Sequence, residues 1–571
     1  MKKQHRTTLV VIVLLVILAF HLSVAWQSMA TLARNGFLYD DGFYAFKIAQ
    51  NIAAGRGVTF DGVHRTTGFQ PLYVFLLVPA FVVSGDSIVL PIYIALSLLS
   101  VFTCITAYLI YRVSRRYVGA TASILAAVIW AFSPIVTKQS ANGLETAVAS
   151  FMIVLCILYY LEKVRSAESP RAIQFAVLGI LLGLTVLARI DGVLLVLVML
   201  LDYLLLLRKK RRASWHLARL SLLPLCVVVL CGPWFVFNLV VCGSPLQDSG
   251  TATRFLSLAY ASYFGYGAES LGSTGPDFSF IWAHITHAIS TMKVIPPVHV
   301  LFRSIDRLGA ALGARGAFHA AGNGIGFLIL AGAIFGFFRW RRDPQRARRR
   351  EIDFLVLFSA MLLACYATYV FGMFFFLRYY YPVYCVACIY SAFFLQDAFD
   401  WYSRRSRSFR RVAIAAAGVY TLFFAYFSYS QAYRSHPVYP YYDIAQWVDA
   451  NTAEGEKIGV FQCGTIGYFC HREIINLDGK VNREALDAIR NGRLESYLQK
   501  EGIDVVLDHS RILEIFLGKF REKAKSSCTD VVCGSASDPS GWVAYRPSGQ
   551  CTGGKGGWSH GGPAAPLLRK E

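Results

Sequence analysis

The sequence predicts an α-helical polytopic membrane protein of about 11 transmembrane helices, N-terminus in and C-terminus out. It adds juxtamembrane helices in the first outer loop and a small C-terminal α/β extracytoplasmic domain. Three observations predict this class. First, 55% of the 571 residues are apolar or aromatic and only 16% are charged, where a soluble protein carries about a quarter, and mean hydropathy is +0.46. Second, apolar runs long enough to cross a bilayer recur along the chain. Third, the basic residues gather at alternate ends of those runs.

The runs fall at 7–26, 88–111, 118–137, 146–161, 172–188, 192–207, 218–241, 322–340, 352–373, 379–398 and 411–430. A crossing needs roughly 20 apolar residues. The net charge of +21 first suggests a polyanion binder, but its distribution excludes nucleic acid as the partner. Six clusters between runs hold 27 of the 56 Lys and Arg: Lys2 to Arg6, Arg112 to Arg116, Lys163 to Arg171, Arg208 to Arg219, Arg339 to Arg350 and Arg404 to Arg411. From Gln431 onward the chain has 17 basic and 17 acidic residues. Alternation places all six clusters on one face, which positive-inside logic makes the cytoplasm. The first run follows Lys2, Lys3 and Arg6 as a signal peptide would. Its apolar stretch is too long for one, and no small-x-small cleavage site precedes the Asp pair, so it reads as an uncleaved anchor. Pro71–Gly85 is apolar but short and contains Pro79. Counting it as a crossing would put Arg112, Arg115 and Arg116 outside, so it reads as a juxtamembrane helix on the outer face.

Residues 1–430 thus form a membrane domain whose outer loops at 27–87 and 242–321 are large. Residues 431–550 form the α/β domain. There Asp443–Asn451 reads as helix, Ile458–Gln462 as strand, Glu484–Lys500 as helix and Asp504–Leu507 as strand. The tail 551–571 is Gly-rich and reads as disordered. Of 13 cysteines, Cys463, Cys470, Cys528, Cys533 and Cys551 lie in the outer domain. An oxidising compartment would permit Cys463–Cys470 and Cys528–Cys533 bridges, a pairing that sequence does not fix.

Ionisable residues at the outer ends carry the chemistry. Asp40 and Asp41 stand in Tyr39-Asp40-Asp41-Gly42, some way beyond the first crossing. Adjacent carboxylates near lipid need a cation, an Arg or a shared proton. Such a pair can hold a divalent ion, deprotonate a hydroxyl or simply cap the helix carrying Tyr44, Ile48 and Ile52. Glu145 opens the fourth crossing. Arg189 and Asp191 flank the tight turn between the fifth and sixth, where an ion pair bracing the turn is the plainer reading. Arg378 and Tyr379 open the tenth, where snorkelling is the plainer reading. His64 and Gln70 lie in the first loop as candidate acceptor or loop contacts. Trp234, Asn238 and Arg254 flank the end of the seventh crossing and read as aromatic belt or headgroup contacts. In the second loop, His284 and His287 share an i, i+3 spacing with no third ligand evident.

With these residues in place the chain resembles the GT-C superfamily of integral-membrane glycosyltransferases. That group includes the protein O-mannosyltransferases, the aminoarabinose transferases of lipid A and the mycobacterial arabinofuranosyltransferases. The pattern is the anchor, Asp40-Asp41, Asn51–Gly57, Phe60-Asp61-Gly62 and Thr67-Gly68-Phe69-Gln70-Pro71-Leu72. Later come Arg378-Tyr379 before Pro382, Ile466-Gly467-Tyr468 and Asn476-Leu477-Asp478-Gly479. Bacterial relatives often have His where Gln70 stands. The resemblance implies a polyprenyl-phosphate-linked sugar donor, a glycan, lipid or protein acceptor, and a site on the periplasmic side of a bacterial inner membrane. It implies Asp40 as general base, with Asp41 supporting it or binding a divalent cation (Mg or Mn) together with Glu145. Arg378 with Tyr379, and Arg189, would hold the donor phosphate, with Asp191 as supporting acid. The alternatives are a lipid or sugar flippase and a non-catalytic glycan-binding membrane protein. A flippase predicts midplane charges and related halves, whereas only Asp202 lies well inside a run and the chain shows no internal repeat.

Overall fold

The computed structural model describes residues 3–34, 37–210, 215–263, 349–369, 377–403, isolated positions within 412–427, and 440–517, 529–535 and 538–546. The expected crossing at 322–340, most of the second outer loop with His284, His287 and His299, and the tail lie outside them. The crossing at 411–430 is described only in part.

The helical part opens with α1 (Lys3–Ala25) and two short helices, α2 (Met29–Arg34) and α3 (Asp40–Ala53). Then come α4 (Pro71–Ser84), α5 (Leu90–Arg115), α6 (Ala120–Ala131), α7 (Pro134–Ser140) and α8 (Thr146–Tyr159). They are followed by α9 (Ala172–Ala188), α10 (Val193–Lys210), α11 (Trp215–Leu220), α12 (Leu222–Cys242), α13 (Asp248–Tyr263), α14 (Phe354–Tyr369) and α15 (Leu377–Ser403). Seven helical stretches among the described residues are long and apolar enough to cross a membrane, and an eighth if α6 and α7, bent by 58°, form one broken span. The bend has a local cause. Pro134 cannot donate an amide to the preceding turn, and Ser133 before it is extended.

Two expected crossings take other forms. The third is the broken pair, and the fifth, α9, is a short apolar helix of 17 residues. Helix α4 has 14 residues, so at about 1.5 Å rise per residue it is too short to span. It lies against α3 and α5. Asp202, the one acid read well inside a run, bonds Arg165 at 2.8 Å and Tyr160 at 2.5 Å. It is paired with a single arginine of the basic cluster that follows α8.

The C-terminal domain, expected on the outer face and called the outer domain for that reason, holds a five-stranded sheet in the order β2-β1-β3-β5-β4. Its strands are β1 (Lys457–Val460), β2 (Glu473–Asn476), β3 (Val505–His509), β4 (Thr529–Ser535) and β5 (Asp538–Tyr545). β1 pairs parallel with β2 and β3, and β5 pairs antiparallel with β3 and β4. Its helices are α16 (Tyr441–Asn451), α17 (Gly464–Phe469), α18 (Arg483–Arg490), α19 (Leu494–Lys500) and α20 (Ser510–Leu517). The single helix expected over Glu484–Lys500 is therefore two. Gly492 breaks it in the left-handed region at φ 65°, where a side chain is strained. Cys463 and Cys470, a pairing that sequence left open, are both free thiols. Cys463 is held against Tyr44 and Asn476, and Cys470 against Asp449.

One apolar core joins the first outer loop to this domain. Phe43, Tyr44 and Phe46 of α3 pack with Ile466, Tyr468 and Phe469 of α17 and Val460 of β1. Each such side chain contributes roughly 1.5–3 kcal/mol on burial, so the seam is built like a domain interior.

Candidate active site

The seam positions a cavity of about 410 Å³. Its walls come from the start of α3, the α8 and α10 beginnings, the loop before α13, the end of α14, the start of α15 and one turn of the outer domain. Helices α8, α10 and α14 contribute at the end opposite a basic residue. Arg165, Arg208 and Arg349 stand at the other ends of the α8, α10 and α14 stretches. Asp41, Gln70, Glu145, Arg189, Asp191, Arg378 and Tyr379 all line the cavity. The sequence scattered these seven over more than 300 positions.

Asp40 and Asp41 occupy the first turn of α3, with Tyr39 at the cap, where carboxylates suit the positive end of the helix dipole. They then diverge. Asp40 turns away from the cavity and accepts the backbone amides of Gly464 at 3.1 Å and Thr465 at 2.7 Å. Burial raises its pKa to about 6, although the Thr465 amide pulls the other way. Asp41 faces the cavity, with Oδ2 2.8 Å from Arg378 Nη2 and Oδ1 3.1 Å from Lys480 Nζ. Burial opposes its charge, but Lys480 and Arg378 outweigh burial and hold it well below the carboxylate range. Lys480 also lies 3.2 Å from Asp478. Burial depresses the ammonium, yet Asp41 and Asp478 keep it charged above the usual lysine range.

A second cluster forms beside the first. Arg189 bonds Glu145 at 2.9 Å, Asp191 at 2.9 Å and the Tyr366 hydroxyl at 2.8 Å. Tyr366 in turn donates to Asp191 at 2.6 Å. Its ring stacks on Tyr379 with centroids 4.4 Å apart, and the Arg378 guanidinium lies 5.3 Å from the Tyr379 ring centre. The bracing ion pair between Arg189 and Asp191 is thus present and widened to Glu145. Gln70 reaches the wall from the cap position of α4. His64 does not reach it and instead pairs with Asp61 at 2.7 Å and Glu501 at 3.5 Å.

The expected divalent ion finds no ready seat. Both oxygens of Asp41 hold a cation, and Glu145 holds Arg189. Among the described residues no three His, Cys, Asp or Glu come together around one point. Sequence reasoning missed Lys480. Nothing local marks it, although it follows directly on the Asn476–Gly479 stretch and a turn in which Gly479 has φ 77°.

A model of the dolichyl-phosphate-mannose-protein mannosyltransferase family matches residues 71–236, which include Glu145, Arg189 and Asp191. A domain of unknown function matches residues 400–550, which include Lys480. No curated protein matches. Among solved structures the chain is similar to the archaeal oligosaccharyltransferase AglB from Archaeoglobus fulgidus in complex with an inhibitory peptide and a dolichol-phosphate. The TM-score is 0.53 at 16% identity, covering 96% of this chain and 74% of that one. The same enzyme in complex with Zn and sulfate gives 0.52 at 15% identity, over 94% and 73%. ArnT from Cupriavidus metallidurans bound to undecaprenyl phosphate gives 0.47 at 15%, over 95% and 98%. The chain therefore has an AglB-like fold, and residues 71–236 match the mannosyltransferase family model. Both agree with the resemblance legible in the sequence.

Proposed function

We propose that this protein transfers a sugar from a polyprenyl-phosphate donor to an acceptor hydroxyl on the outer face of the membrane. The observation that carries the reading is the Asp41 carboxylate bridging Arg378 and Lys480 inside the cavity. The mannosyltransferase match and the AglB-like fold support it.

A donor phosphate diester carries one negative charge and competes with Asp41 for the same two cations. As the phosphate takes Arg378 and Lys480, Asp41 loses the charges that depress its proton affinity. Its carboxylate then accepts the acceptor's hydroxyl proton while that oxygen attacks the anomeric carbon. The bond from this carbon to the phosphate oxygen breaks, and its electron pair leaves with the polyprenyl phosphate. Arg378 and Lys480 stabilise the charge developing there. Asp40 acts through position, anchoring the start of α3 to α17. Arg189, engaged with two acids and a tyrosine, holds Tyr366 and Tyr379 behind Arg378. Eleven crossings with the N-terminus inside, in a bacterial inner membrane with the cavity on the periplasmic side, complete the reading. The basic clusters at the far helix ends support that orientation.

The test is transfer by the full chain in lipid nanodiscs, supplied with a panel of polyprenyl-phosphate monosaccharides. Asp41→Asn is expected to lose about 10²- to 10⁴-fold in rate, as removal of a general base does. Undiminished transfer by that variant would remove Asp41 from the chemistry.

A further inference from the structure

The ion pairs of Asp41 carry a second consequence, which rests on the donor reading above. A carboxylate at the mouth of a phosphate-binding cavity is where a divalent ion is expected, and the sequence reading placed Mg or Mn between Asp41 and Glu145. The chain fills those positions with its own cations. Lys480 Nζ lies 3.1 Å from Asp41 and Arg378 Nη2 lies 2.8 Å from it, while Glu145 is 2.9 Å from Arg189. A divalent ion on Asp41 would sit within a few ångströms of two fixed positive charges in a partly buried site. That repulsion opposes binding far more than it would at the surface.

Lys480 is also not a mobile side chain that happens to reach the acid. Its backbone is pressed against the first outer loop, since a Cβ on Gly68 would stand 1.9 Å from the Lys480 carbonyl oxygen. The turn that presents it is tied by Asn476, whose side chain accepts the Gly479 amide at 3.0 Å and donates to Asp478 at 2.8 Å. Asp478 then accepts the Lys480 amide at 2.9 Å and salt-bridges the ammonium. The lysine is held from both ends.

We propose that Lys480, delivered by the outer domain, takes the place of a divalent cation at Asp41, so that the site binds its lipid-phosphate donor without metal. The membrane domain alone then has an incomplete site, and residues 476–480 of the outer domain are part of the donor-binding machinery.

The experiment uses the full chain in nanodiscs with two probes, Mn²⁺ followed by electron paramagnetic resonance and undecaprenyl monophosphate followed by native mass spectrometry. Wild type is expected to take up no Mn²⁺ that Asp41→Asn removes, and to bind undecaprenyl phosphate equally well with and without EDTA. Lys480→Ala is expected to weaken lipid-phosphate binding at least about tenfold and to expose Asp41, so that Mn²⁺ uptake appears and is lost again in the Lys480→Ala, Asp41→Asn double variant. Lys480→Arg, which keeps the charge, is expected to behave as wild type toward Mn²⁺. Mn²⁺ binding by wild type that disappears in Asp41→Asn overturns the proposal, as does a folded Lys480→Ala that takes up none. Should Lys480→Ala fail to fold, the wild-type and Asp41→Asn pair still decides. Undecaprenyl phosphate that binds wild type under none of these conditions overturns the donor reading, whereas the Mn²⁺ comparison judges the lysine by itself.

Discussion

At the residue scale the protein is organised around contacts between side chains hundreds of positions apart. Tyr44 donates to the Phe461 carbonyl at 3.4 Å and accepts the Cys463 amide at 3.3 Å, and its ring centre lies 5.9 Å from Lys480 Nζ. His64 makes a parallel link, to Asp61 in its own loop and to Glu501 in the outer domain. The hydrogen bond that His64 donates to Asp61 raises the His64 pKa above its ordinary 6.5, against the opposing effect of burial. The sign follows from linkage. A raised folded-state pKa adds stability that is fully present below about 6.5 and is lost as pH rises through the higher folded value. His64→Gln should therefore destabilise the docked outer domain by about 0.5–1 kcal/mol at pH 5.5 and by almost nothing at pH 9. Thermal unfolding of both proteins across that range measures this. An equal loss at both ends would assign His64 a packing role instead. Asp41, Glu145, Arg189, Asp191 and Arg378 were legible because ionisable residues at membrane-helix ends stand out against an apolar background. Lys480 was not, because the outer domain is rich in charge and its partner lies 439 positions away.

Elements meet here through glycines that leave no room for a side chain. A Cβ on Gly464, at the start of α17, would stand 2.0 Å from the Asp40 carbonyl oxygen, and one on Gly467 would meet the Phe60 ring at 2.5 Å. Gly68 has the same relation to Lys480. These glycines are required for close approach and not for their backbone angles. Gly68→Ala should cost about 1–3 kcal/mol, as overpacking does, and lower transfer further by pushing Lys480 off Asp41. Gly455→Ala, where nothing lies within 4 Å, is the neutral control. Unfolding midpoints and transfer rates measured together test the pair, and an unchanged Gly68→Ala would mean that the seam yields without consequence. The Thr67-Gly68-Phe69 and Ile466-Gly467-Tyr468 stretches were noticed in the sequence as family pattern. Their physical meaning, two backbones in contact, needs the second chain segment and so is invisible in the first.

The whole molecule is polar in arrangement. Among the described residues Arg115, Arg165, Arg208 and Arg349 stand at one set of helix ends, and the cavity at the other. The apolar runs announced most of this architecture, because 20-residue hydrophobic stretches have few alternatives to crossing a bilayer. The broken pair α6–α7 and the short α9 were harder to read, since hydropathy alone does not report a 58° bend. The orientation predicts that protease added to intact spheroplasts cleaves within 440–517, and that inside-out vesicles protect the same region. The reverse pattern would place the cavity in the cytoplasm. The central claim, that Arg378 and Lys480 release Asp41 to grip a lipid phosphate, is tested most directly by an experimental structure of the full chain with undecaprenyl phosphate bound. The account predicts a phosphate within about 3 Å of both cations, with Asp41 freed beside it. A phosphate seated elsewhere, with the Asp41 ion pairs intact, would contradict it.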